Sequence, residues 1–118
     1  MKTIKLNLSS DGAHAALSVA GASTDLSAPD IDQLIRDLAA LRSKMTPIHP
    51  AEPPDNPAKM HHSDNLLWSV KAAPEKSTIR FAAQHPGLGW MAMWLSRAQV
   101  EDLTTSFEFE MVKIPEGT

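Results

Sequence analysis

The sequence predicts an α+β fold, with two helices and a mainly antiparallel sheet of about five to six strands. Several short segments alternate apolar and polar residues, which is the two-residue period of a half-buried strand. Two longer segments each follow a serine and place apolar residues at the spacing of an amphipathic helix. The predicted order is β-β-α, a proline-rich loop, and then β-β-β-α-β. Inspection of the sequence indicates no internal repeat.

Length and composition limit the class of protein. The 118 residues predict a single domain over residues 1–118. The net charge is −3 and no run of basic residues occurs, which argues against a nucleic-acid partner. The absence of cysteine excludes disulfides, thiolate metal sites and a cysteine nucleophile. The N-terminal stretch lacks the apolar core of a signal peptide, so we expect a cytoplasmic protein without a membrane segment.

The first half is predicted to contain a hairpin and a helix. Residues 3–8 and 13–20 alternate on either side of Asp11-Gly12, a dipeptide that favours a hairpin turn. Residues 21–25 are expected to form a polar loop. The following helix is predicted from Ala28 to about Met45.

Two features of this predicted helix stand out. It begins at Ser27 and has an acidic residue, Asp30, at the third helical position, which resembles a capping box. Arg42 falls within its apolar stripe. Either the side chain extends past the core edge to solvent, or it pairs with a partly buried acid or a ligand carboxylate.

The segment Thr46–Asn65 differs in composition from the rest of the chain. It holds five of the nine prolines, and proline continues neither a helix nor a central strand. We interpret this segment as a long loop or linker within the domain, with extended polyproline geometry in its first half. It is either a connecting strap or a segment that docks on a partner.

The second half is predicted to form three strands, a short helix that starts at Ser96, and a final strand. The three strands cover residues 66–73, 77–84 and 90–95, and the last is expected at the centre of the sheet because it is apolar on both sides. Residues 107–114 alternate and are predicted as a terminal edge strand, which would favour pairing with another chain. The alternative is that the preceding helix continues into the start of this segment.

Aromatic, methionine and arginine side chains of this half are the main candidate binding residues. Tryptophan and methionine are enriched at the centres of protein interfaces, although packing in the core is the alternative explanation. Methionine also suits a surface that adapts to a partner. The candidate interface residues are Trp68, Arg80, His85, Trp90, Met91, Met93, Trp94, Phe107 and Phe109.

Histidines are the main candidates for chemistry. His61, His62 and Asp64 carry donor atoms that suit a divalent metal, but adjacent residues of an extended loop point in opposite directions. A solvated pair without a metal is the alternative. No serine lies in a nucleophile-elbow motif, so we assign no catalytic residue and expect no cofactor.

The preferred functional hypothesis is a small non-enzymatic protein-interaction module. It would bind a protein partner or a second copy of itself, and it could inhibit a partner stoichiometrically by occlusion, as phage anti-defence and toxin-immunity proteins do. The alternatives are a small histidine-based metal-dependent enzyme and a protein that binds an apolar ligand, with Arg80 or Arg42 holding an anion. The sequence identifies neither the partner nor the oligomeric state.

Overall fold

The computed structural model describes residues 3–117, so the first two residues of the stretch examined for a signal peptide lie outside it. Two α-helices and two three-stranded antiparallel sheets occur in the described residues. The predicted α+β class and the antiparallel pairing are therefore confirmed. The chain divides into two compact units, Met1–Pro53 and Pro54–Thr118. The division falls within the proline-rich segment, and the prediction of one domain stays a prediction.

The first unit is a three-stranded meander followed by a helix. Its strands are β1 (Ile4–Leu8), β2 (His14–Val19) and β3 (Ala22–Ser27), and β2 lies in the middle. Helix α1 (Ala28–Arg42) follows β3 directly. The polar loop predicted at residues 21–25 was wrong, because most of that segment belongs to β3.

The polar composition of β3 explains this error. Ser23 and Asp25 lie on the face opposite Leu26, so the segment retains strand alternation although only one of its residues is a large apolar one. The turn before it is tight and uses left-handed backbone at Ala20 and Gly21, which suits a two-residue hairpin connection.

The structure shows what the Arg42 side chain contacts at the end of α1. The helix ends at this residue rather than near Met45. The Arg42 guanidinium donates from Nη1 to the carbonyl oxygen of Met45 at 3.4 Å. This hydrogen bond joins the last helical residue to the turns that follow the helix, and Arg42 forms no ion pair within the described residues.

The second unit repeats the same order of elements. Its strands are β4 (Leu67–Ala73), β5 (Thr78–His85) and β6 (Gly89–Ser96), followed by α2 (Arg97–Met111). Strand β5 is central, so the expectation that residues 90–95 form the central strand was wrong. The two buried apolar residues among those described, Ala82 and Ala83, lie on this central strand.

The terminal strand predicted at residues 107–114 was also wrong, since α2 extends through Met111. Ser96 and Gln99 form a reciprocal capping box that begins the helix. No proline or glycine interrupts the chain between Arg97 and Met111, so nothing ends the helix before the alternating Phe-Glu pattern. Phe107 and Phe109 are consequently helical residues.

The two units share a strand register and a sequence motif, which contradicts the expectation that the chain has no repeat. Residues 26–34 read Leu-Ser-Ala-Pro-Asp-Ile-Asp-Gln-Leu, and residues 95–103 read Leu-Ser-Arg-Ala-Gln-Val-Glu-Asp-Leu. In both units this motif spans the end of the third strand and the start of the helix. The strands of the two units share only their alternation of apolar and polar residues, so the repeat is difficult to detect in the sequence.

Each sheet has one face that is almost entirely apolar, which we call its apolar face. Directly opposed residues of antiparallel strands project to the same side, so the pairing assigns the members. In the first unit they are Ile4, Leu6, Leu8, Ala15, Leu17, Val19, Ala22, Thr24 and Leu26. In the second unit they are Trp68, Val70, Ala72, Ile79, Phe81, Ala83, Met91, Met93 and Leu95. We call the opposite side of each sheet its second face.

No helix in the described part of the chain is both long and apolar enough to cross a membrane.

Candidate binding surface on the second sheet

The structure separates the nine candidate interface residues into four places. The apolar face of the second sheet holds Trp68, Met91 and Met93, and its second face holds Arg80, Trp90 and Trp94. His85 lies at the end of β5. The two phenylalanines, Phe107 and Phe109, lie on α2.

An apolar face is a general feature of this architecture, because each of the two units has one. Both units also have a hollow between this face and the first turns of the helix. The first, of about 480 Å³, is lined by residues that include Leu8, Ala15 and Ile31. The second, of about 520 Å³, is lined at the equivalent positions by Ala72, Ile79 and Val100. These hollows therefore belong to the fold itself and do not distinguish a binding site.

The second face of the second sheet is organised in three rows that cross the strands. Each row takes one residue from each of β4, β5 and β6. The rows are Lys71–Arg80–Trp94, Ser69–Ala82–Ala92 and Leu67–Gln84–Trp90. Small residues occupy the middle row and larger ones the two flanking rows, so the face forms a shallow trench with the middle row as its floor.

The dimensions of the trench follow from strand geometry. Alternate residues on one strand are about 7 Å apart, which separates the two walls by about 13 Å between backbones. The trench crosses three strands, a span of about 10 Å. A hollow of about 350 Å³ lies over it, lined by Ser69, Ala82 and Ala92 of the floor and by Arg80 and Trp90 of the walls. Trp90 and Trp94 are 55% and 51% exposed, so both rings can contact a bound molecule.

One wall of the trench is positively charged. The three strands of this sheet carry Lys71 and Arg80 and no acidic residue. Lys76, in the turn before β5, places its Nζ atom 5.3 Å from the centre of the Trp94 ring, a cation–π contact. Glu75 of the same turn borders a second hollow together with Lys71, Arg80 and Trp94, so one acid lies beside this wall.

Arg80 lacks the partners that a guanidinium normally has. Its Nε atom is buried and has no hydrogen-bond partner among the described residues. Neither Arg80 nor Lys71 takes part in an ion pair within the described part of the chain. A buried donor without an acceptor is costly. Because the Nε atom is closed to solvent, a ligand in the trench would meet the rest of the half-buried Arg80 side chain and not this atom.

The first unit shows what the same fold requires at these positions. The residues that occupy the register positions of Lys71, Arg80 and Trp94 are, in that order, Asn7, Ala16 and Asp25. Trp90 has no strand counterpart, because the first unit makes its hairpin turn at that position. The architecture therefore forms without the cations and the tryptophans, which makes them candidates for function rather than for folding.

The histidines have local roles in the structure. The Nδ1 atom of His85 accepts hydrogen bonds from the backbone N–H groups of Gly87 and Leu88, at 3.0 and 3.2 Å. The His61 ring lies edge-on to the His85 ring, 5.8 Å away between centroids. His61, His62 and Asp64 do not form a cluster of three suitable donors, and no such cluster is found among the described residues.

Part of this surface was not predicted from the sequence. Arg80 and the two tryptophans were among the predicted binding residues, whereas Lys71 and the row of small residues were not. The alternation of β4 places Lys71 opposite Trp68 and Val70, so the strand pattern could have identified this lysine. The floor could not have been identified, because it depends on which residues pair across three strands. Comparison with protein-family models, curated proteins and solved structures finds no match for this chain.

Proposed function

We propose that this protein is a non-enzymatic protein-interaction module whose trench binds a partner protein. The observation that carries the proposal is the contrast between the two units. Arginine and tryptophan occupy second-face positions of the second sheet at which the same fold accepts alanine and aspartate.

The composition of the trench favours a protein as the ligand. Tryptophan and arginine are the residues that most often dominate the binding energy of protein interfaces. Here one half-exposed tryptophan, Trp94, is directly opposed to Arg80, and a second, Trp90, stands in the opposite wall. Both lie on a sheet, which is a rigid support. Binding would cover a surface of the partner, and stoichiometric inhibition by occlusion, the mode of phage anti-defence and toxin-immunity proteins, is the form of activity we propose.

The histidine-based alternative has weaker support. A catalytic base or a metal ligand needs a free ring nitrogen. Because the Nδ1 atom of His85 accepts two backbone hydrogen bonds, the neutral ring carries its proton on Nε2, and neither nitrogen has a free lone pair. Its neighbour His61 contacts it through the ring edge. These contacts suit a histidine that holds a turn.

Site-specific photo-crosslinking tests the proposal. A benzophenone amino acid at Leu67, on the rim of the trench, is expected to give one discrete protein adduct in the native cells. The adduct should have the mass of one chain and one partner, and it should disappear with Arg80→Ala. The matched control places the same group at Ser23, on the second face of the first unit, where no adduct is expected. Absence of any Arg80-dependent adduct at Leu67 would overturn the proposed function.

A further inference from the structure

We propose that the trench receives an extended acidic segment of the partner, which lies across the strands with a carboxylate against Arg80 and Lys71. An apolar side chain of the same segment would lie between Trp90 and Trp94. This inference rests on the proposed function and specifies the chemistry of the partner.

Charge is the first argument for an acidic segment. The chain as a whole has a net charge of −3, yet the strands that form the trench carry two cations and no acid. Lys76 adds a third positive charge beside Trp94. Glu75 of the same turn offsets part of this charge. An excess of positive charge remains at this wall and attracts a negatively charged group.

The geometry of Arg80 is the second argument. The guanidinium presents several donors in a planar fork that fits a carboxylate in a bidentate way. Lys71 is directly opposed to Arg80 on the neighbouring strand, so both cations can face one carboxylate.

Shape is the third argument, and it favours an extended chain over a helix. The floor residues Ser69, Ala82 and Ala92 have small side chains, which allow a backbone to approach the sheet closely. The span of about 10 Å matches about three residues of extended chain. The walls are about 13 Å apart between backbones, and the side chains of Trp90, Trp94 and Arg80 occupy part of this width. An α-helix with side chains, about 10–12 Å wide, therefore does not reach the floor.

A nucleic acid fits this charge pattern less well. Single-stranded nucleic acids bind grooves whose cations follow the phosphate backbone along its length. The cations here are confined to one wall, and the opposite wall presents Leu67 and Gln84. A ligand with few charges and an adjacent apolar group suits this arrangement better.

Selection from a random dodecapeptide phage library on the full-length protein tests the inference. We expect enriched peptides to contain more Asp and Glu than the unselected library, together with an aromatic or aliphatic residue. The affinity of a synthesised winner should fall by about tenfold or more with Arg80→Ala, since a charge-assisted bond is lost. Lys5→Ala, which removes a cation from the second face of the first unit, should leave its affinity unchanged.

Indole N–H resonances locate the binding. The winning peptide should shift the signals of Trp90 and Trp94, whereas Trp68 on the apolar face serves as an internal reference. Three results would overturn the inference: enrichment of neutral or basic peptides, tighter binding of oligothymidylate than of any peptide, or binding of free benzoate as tight as that of the peptide. If one of these results occurs while Leu67 still gives an Arg80-dependent adduct, the inference fails and the proposed function stands. If that adduct is absent, both the inference and the proposed function fail.

Discussion

Arg80 and Trp94 are directly opposed on β5 and β6, and the same pair of positions in the first unit holds Ala16 and Asp25. Opposed residues lie on the same face with their Cβ atoms about 5 Å apart. The arginine and the tryptophan therefore act as one surface element. Their counterparts show that the sheet does not depend on either residue.

We expect Arg80→Ala to leave the stability of the protein unchanged within about 1 kcal/mol, or to raise it slightly. The substitution removes a buried donor that has no partner among the described residues, which offsets the loss of packing. Binding of an acidic peptide should nevertheless be lost. Urea unfolding and fluorescence titration measure the two quantities. A strong loss of stability would show that Arg80 is a folding residue.

Phe81→Ala should lower the free energy of unfolding by about 1 kcal/mol. Phe81 lies at the centre of the apolar face, opposed by Val70 and Met93, and the substitution removes the apolar area that this half-buried ring buries. Gln84→Ala, on the second face of the same strand, is the matched control and should change stability by about 0.5 kcal/mol or less. Equal effects of the two substitutions would contradict the assignment of the faces.

The cap of α1 should respond to acid, whereas the cap of α2 should not. Hydrogen bonds from the backbone N–H and the hydroxyl of Ser27 lower the pKa of Asp30, with a further contribution from His14. Because the folded pKa lies below the unfolded one, the cap stabilises the protein above the ordinary value and loses this effect as pH falls through the folded value. The equivalent position in α2 is the uncharged Gln99.

Amide chemical shifts measure this difference directly. The Ser27 amide should titrate with a midpoint below the ordinary aspartate value of 3.8, while the Ser96 amide stays constant. Asp30→Gln should abolish the titration at Ser27 and retain a capping box of the α2 type. Parallel titration of both serine amides would rule out Asp30 as the cause.

His85→Ala should destabilise the second unit by about 1 kcal/mol through its hairpin turn. The substitution leaves the N–H groups of Gly87 and Leu88 without their acceptor. Amide exchange at these two residues should accelerate, and thermal unfolding should begin at a lower temperature. His49→Ala, at an exposed position outside the strands and α-helices, is the control. Unchanged exchange at the turn would mean that other contacts hold it.

The sequence was sufficient to predict most of the strands, because alternation reports which residues share a face of a strand. Both capping serines were also predictable, since their side chains act on residues three positions away. Residues 107–114 were misassigned because a Phe-Glu alternation satisfies the strand period, while the helix depends on propagation from a start at Ser96. The central place given to residues 90–95 was wrong for a related reason: strand order depends on pairing, which local composition does not report.

The binding surface was predictable only in part. Arg80, Trp90 and Trp94 were visible as unusual residues, but the shared row of Arg80 with Lys71 depends on the register between β4 and β5. The distinction between residues needed for folding and residues available for binding came from the comparison of the two units. That comparison requires the strand register, which assigns the equivalent positions of the two sheets.

The residues of the trench can be introduced at the equivalent positions of the first unit. Lys5→Ser, Asn7→Lys, Ala16→Arg and Asp25→Trp would rebuild its floor and its cationic wall in the register already present. We expect such a variant to bind a second equivalent of acidic peptide, more weakly because one tryptophan wall is missing. The chain thereby contains a specialised surface and a second copy of the same scaffold that lacks it. The contribution of each trench residue to binding can therefore be measured by adding that residue to the first unit.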